Sequence, residues 1–161
     1  VNFLRSEVGD EPVIVEGTLR GSAARVFRAW TVPEEIVKWF GLKAGAVSSA
    51  EIDLRVGGRW RFVMEDTEIC RASLEGEYLT IEPDRSLAFS WRYRREYPDG
   101  RQEMTSDSKV TIQFQEDGGY TQISLRHEGI VREDGRSGVG MGWNASFRQL
   151  AEWLSESALP V

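Results

Sequence analysis

A single cysteine, Cys70, excludes an intramolecular disulfide and a thiolate metal site. A single histidine, His127, leaves no pair of imidazoles to hold a metal, and no Asp-x-Asp-x-Asp-Gly calcium loop occurs. No metal or cofactor is therefore expected. No Gly-x-Ser-x-Gly elbow presents a serine, so a hydrolytic triad would have to be built on that one histidine. No apolar run is long enough to span a bilayer, and Val1-Asn-Phe-Leu-Arg-Ser-Glu lacks the basic and apolar regions of a signal peptide. A reducing cytoplasm is the expected compartment. Basic residues are the minority, 20 against 26 acidic, for a net charge of −6. That balance argues against a general nucleic-acid or anionic-membrane binder. Low-complexity tracts, long linkers and internal repeats are also lacking.

What is present is enough for one hydrophobic core. A chain of 161 residues, 40% of them hydrophobic, reads as one domain, 1–161, with its core at about 12–155. Pro12 to Arg20 alternates as a strand with Val13, Val15 and Leu19 on one face. Gly21 breaks it, and Ser22 is placed to cap a short helix whose inner side carries Val26, Phe27 and Trp30. Thr31-Val-Pro-Glu34 has capping-box spacing for a second short helix, with Pro33 in the first turn and Gly41 as its C-cap.

From Val47 the period changes to two. Ile52 and Leu54 alternate with charged residues up to a Gly57-Gly58 turn, after which Trp60, Phe62 and Met64 alternate with Arg59 and Arg61. Residues 70–82 form a strand bent at Gly76. Beyond Pro83-Asp84, Leu87, Phe89, Trp91 and Tyr93 share a face. Turns at Pro98-Asp-Gly100 and Asp117-Gly118-Gly119 separate the later rows, Val110/Ile112/Phe114 and Ile123/Leu125/His127. About six strands joined by short connections make an antiparallel meander.

The end of the chain, 138–154, places Trp143, Phe147, Leu150, Ala151 and Leu154 on one helical stripe. Asn144, Arg148, Gln149 and Glu152 fall on the wet side. Gly138-x-Gly-x-Gly142 lacks a preceding βαβ unit and a Lys-Ser/Thr, so it reads as flexible backbone where the helix begins rather than as a phosphate loop. The expected fold is α+β: a curved antiparallel sheet wrapped around a long C-terminal helix, with two short helices after the first strand. Five of the six tryptophans, 30, 39, 60, 91 and 143, fall on inner faces.

Four blocks carry a resemblance. They are Val26 to Gly41, Asp53-Leu-Arg-Val-Gly-Gly-Arg-Trp-Arg-Phe62, Gly76 to Arg85, and Gly142-Trp143 through Leu154. Together they resemble the activator-of-heat-shock-protein-90-ATPase-homologue-like family, within the START-like, birch-pollen-allergen-like SRPBCC superfamily of helix-grip folds. Where the family pattern is Trp-Trp-Gly-Pro, this chain has Trp39-Phe40-Gly41-Leu42. The resemblance implies a cavity between sheet and helix, often holding a small apolar or aromatic molecule. It implies no shared reaction, because members include carriers, cyclases, resistance proteins and co-chaperones.

Three functions follow as expectations: binding of a small hydrophobic ligand, partnership with heat-shock protein 90, or cyclisation or hydrolysis of an aromatic, polyketide-like ligand. No catalytic signature is recognisable, and a monomer or homodimer is expected. His127, inward at its strand's end, is either a polar anchor or general base at one end of the cavity, or a buried imidazole satisfied by a neighbour. Trp39, Phe40, Trp60, Phe62, Trp91, Tyr93, Trp143 and Phe147 are either core or cavity lining. Arg92, Arg94, Arg95 and Arg101 read as solvated charges of strand edges.

Overall fold

The computed structural model describes residues 2–158, apart from the side chain of Glu65. Strand β1 (Val13–Arg20) leads into helices α1 (Ala23–Thr31) and α2 (Pro33–Trp39). Seven strands follow: β2 (Ser49–Ile52), β3 (Arg59–Asp66), β4 (Arg71–Glu82), β5 (Ser86–Glu96), β6 (Gln102–Met104), β7 (Ser108–Asp117) and β8 (Tyr120–Glu128). Helix α3 (Glu133–Ser157) closes the chain. The strands form one antiparallel sheet in the order β1-β8-β7-β5-β4-β3-β2, with β6 paired to β5. The α+β helix-grip architecture is therefore as the sequence pattern predicts.

Local chemistry explains the elements. The Ser22 hydroxyl accepts from the Arg25 N–H, which caps α1 and satisfies one of its unpaired donors. The predicted capping box at Thr31 does not form. Thr31 is the last residue of α1, its hydroxyl donates to the Phe27 carbonyl, and Val32 takes the cap position of α2 without a side-chain bond. Pro33 starts α2, where its missing N–H costs nothing. Gly41 follows the C-cap residue Phe40 with φ 114°, a value that disfavours any other residue. Strand β2 ends at Ile52, so Leu54 is half exposed in a loop rather than part of the inward row.

At Gly76, β4 and β5 approach so closely that a Cβ would collide with the Ser90 carbonyl oxygen. A bulge between Tyr78 and Thr80 adds curvature. The short strand β6 is the element that the alternation pattern does not single out. Strand β5 is also not an edge. It lies between β4 and β7, and its outward arginines are paired: Arg92 with Glu75 at 2.8 Å and Arg94 with Glu75 at 3.4 Å. Burial pushes the Glu75 carboxyl up, but the two guanidiniums outweigh it and hold that group below its usual range.

Helix α3 starts five residues before the predicted glycine run, so Gly138, Gly140 and Gly142 lie inside it. Glu133 and Asp134 occupy its first turn, where the helix dipole favours negative charge. Trp143, Phe147, Leu150 and Leu154 are buried against the sheet, each contributing roughly 2 kcal/mol of hydrophobic stabilisation. Asn144 and Gln149 are not on a wet face. Asn144 accepts from the Phe3 N–H at 2.7 Å, and Gln149 donates to the Gly41 carbonyl at 2.6 Å. Glu35, buried on α2, gathers all three helices: Arg25 at 2.8 Å, Arg28 at 3.1 Å and the Trp153 indole N–H at 2.8 Å.

Candidate functional site

The inward face of α3 changes in size along its length. Its later turns present Trp143, Phe147, Leu150 and Leu154, which fill the sheet's concavity. Its first turns present Gly135, Gly138 and Val139, which do not reach as far. The unfilled space is an open cavity of about 570 Å³ between these turns and the ends of β5, β6 and β7. Leu74, Trp91 and Tyr93 form its sheet wall, Met104 lines it from the end of β6, and Ile130 and Val131 from the loop before α3. Its volume and mainly apolar lining suit a small organic molecule. Arg136 fixes the loop on one side, donating to the carbonyls of Gly9, Ile130 and Val131 at 2.6 to 2.9 Å.

The sequence-derived aromatic set divides among three places. Trp91 and Tyr93 stand on the cavity wall. Phe40, Trp60 and Phe62 surround a separate void of about 10 Å³, room for about one water. Trp39 and Phe147 are fully buried, Trp39 donating to the Ala29 carbonyl at 3.0 Å. Trp143 packs against Trp91 with the rings tilted and their centroids 5.2 Å apart. The alternation pattern therefore selects inward residues correctly, but being inward does not separate filled core from open cavity.

His127 is completely buried behind the wall, 5.1 Å from the Trp91 ring. Its Nδ1 accepts from the Trp143 indole N–H at 3.0 Å, and its Nε2 lies 2.7 Å from the Ser108 hydroxyl. Indole nitrogen can only donate, so Nδ1 carries no proton and the neutral ring holds its proton on Nε2. Burial pushes the imidazole down to about 3, which keeps it neutral. Nε2–H therefore donates to Ser108 Oγ, and Oγ–H in turn donates to the Trp91 carbonyl at 3.2 Å. The pair resembles a serine–histidine dyad in distance, but its protons run the other way, from histidine to serine. A base that already holds its proton on the facing nitrogen does not activate that serine.

Ser108 lines the cavity and is absent from the sequence-derived candidates. One signal marks it: it heads the inward row Ser108/Val110/Ile112/Phe114, where a hydroxyl interrupts an apolar series. Ile130, Val131 and Val139 gave no such signal, since they come to the cavity from a loop and a helix start. Among the described residues no cluster of His, Cys, Asp and Glu could hold a metal, and no helix is long and apolar enough to cross a membrane.

A curved sheet gripping a long helix, with a cavity where the helix carries glycine, defines a helix-grip domain. The chain belongs to the Activator of Hsp90 ATPase homolog 1-like protein family, whose model matches residues 20–155. Among solved structures it is similar to protein CV1439 from Chromobacterium violaceum, at 21% identity and a TM-score of 0.70, covering 90% of this chain and 98% of that one. It is also similar to CalU16 from Micromonospora echinospora, at 26% identity and a TM-score of 0.64, covering 92% and 77%. DynU16, a protein of the dynemicin biosynthetic locus, aligns at 19% identity and a TM-score of 0.70, covering 92% of this chain and 48% of that one. No curated protein matches the sequence.

Proposed function

We propose that this chain binds a small, mostly apolar molecule in the cavity between α3 and the ends of β5 to β7. The observation that carries this reading is the open space of about 570 Å³ walled by Trp91 and Tyr93. A cavity lined by apolar side chains and bearing a few polar atoms is the usual form of a small-molecule site. Trp91 and Tyr93 are the direct aromatic contacts, while Trp143 and His127 support Trp91 from behind. Similarity to a protein of a biosynthetic locus accords with an organic ligand.

Native mass spectrometry of protein purified from its own host tests the reading, followed by denaturation and identification of what is released. A stoichiometric organic molecule is the expected result. Protein that arrives empty and shows no cavity-localised shifts with naphthalene-type probes would overturn it.

The family's name favours one second reading, a partnership with the Hsp90 chaperone. It is checked by ATPase assay of the chaperone with and without this protein, where no stimulation and no co-purification would dismiss it. A catalytic reading through His127 has less support, because the proton direction at Ser108 opposes a general-base role.

A further inference from the structure

The hydrogen-bond chain behind the cavity passes through Ser108, a residue of the cavity lining, and ends on the Trp91 carbonyl. Ser108 belongs to the inward row of β7 and stands at the cavity end of that row. A hydroxyl has one proton and two lone pairs. The proton goes to the Trp91 carbonyl, and one lone pair takes the Nε2–H of His127. One lone pair remains. The polarity is set from behind by the Trp143 indole, which can only donate and so fixes the histidine tautomer.

Resting on the cavity reading above, we infer that Ser108 is the specificity-determining anchor of the site. It is a hydrogen-bond acceptor that selects ligands bearing a hydroxyl or N–H on an apolar, aromatic-sized body. A ligand that offers only a carbonyl or ether oxygen meets a lone pair rather than a proton, and gains nothing there. His127 and Trp143 are positioning residues: they touch no ligand and hold Ser108 in the accepting state. Ser108 differs from the other hydroxyls of the lining, Tyr93, Thr105 and Ser106, in that its proton is already committed, so that it can only accept from a ligand. The Tyr93 hydroxyl accepts from Arg95 at 2.9 Å, and the Thr105 hydroxyl accepts from the Tyr93 N–H at 2.9 Å. Arg132 is paired to Asp134 at 3.0 Å on the outer rim.

The test compares 2-naphthol with 2-methoxynaphthalene, which share the ring system and differ in the donor. Dissociation constants come from ¹H–¹⁵N NMR titrations followed at the amides of Ser108, Trp91 and Tyr93. The wild type should bind 2-naphthol about five- to tenfold more tightly, the effect of one neutral hydrogen bond. Ser108→Ala should remove that preference, and Ser108→Thr, which keeps the hydroxyl, should retain it. The ¹⁵N shifts of the His127 imidazole, read on unmodified protein, should show a protonated Nε2 and a bare Nδ1.

Equal affinity of the wild type for the two probes would overturn the inference while leaving the cavity a binding site. The opposite tautomer at His127, or a preference that survives in folded Ser108→Ala, would overturn it as well. Failure of both probes to bind would remove the cavity reading, and the inference with it.

Discussion

At the scale of single residues, His127 shows how burial converts a titratable group into a structural one. Its imidazole sits at about 3 in the folded protein against 6.5 for an exposed histidine, through desolvation. Between those values the unfolded chain takes up a proton that the folded chain refuses. Stability from this group is therefore complete above about pH 6.5 and falls as the pH drops, by up to about 1.4 kcal/mol per unit. His127→Gln removes the titration. In urea melts between pH 6.5 and 4 the variant should lose less stability than the wild type, and parallel losses would contradict the assignment. Ser146 is a buried polar residue with a structural role: its hydroxyl accepts from the Gly41 N–H and donates to the Gly41 carbonyl, both at 3.0 Å. It ties α3 to the turn after α2.

At the scale of elements, helix ends and helix glycines give opposite expectations. Ser22 caps α1, and Ser22→Ala should lower stability by about 1 kcal/mol in equilibrium unfolding. Gly142 lies inside α3 with open space around the position of a Cβ. Gly142→Ala should raise stability by about 0.5–1 kcal/mol, since glycine is the costlier residue in a helix interior. A destabilised Gly142→Ala would show that this glycine serves a contact rather than tolerating a cost. The glycines of α3 also explain why the sequence places its start too late. Glycine is a poor helix former, so Gly135, Gly138, Gly140 and Gly142 hide the first turns from a reading based on propensity. Packing against Leu4 and Val13 at Gly140 supplies what propensity withholds.

At the scale of the whole molecule, the cavity is a mismatch between a curved sheet and a helix whose inward side chains shrink toward its start. Filling that mismatch should abolish binding without unfolding the protein. Gly138 borders the cavity, is solvent-exposed, and has nothing near its missing Cβ. Gly138→Trp should therefore weaken 2-naphthol by at least about tenfold while leaving the melting temperature within a few degrees. Undiminished binding in that variant would place the probe somewhere else.

Alternation and helical spacing determined much of this protein by themselves. Val13, Val15, Leu19, Trp60, Phe62, Ile112 and Leu125 are buried as their period of two requires, and Trp143, Phe147, Leu150 and Leu154 as theirs of 3.6 requires. Those periods are local, because each follows from backbone geometry over a few residues. Whether inward residues meet or leave a gap is not local. It depends on how far α3 stands from β5 and β7, and on which turn of the helix faces which strand. Tertiary structure alone therefore decided that Trp60 closes the core while Trp91 borders open space. It also decided that Ser108, Trp91, His127 and Trp143, separated by up to 52 positions in the chain, share one directed line of hydrogen bonds.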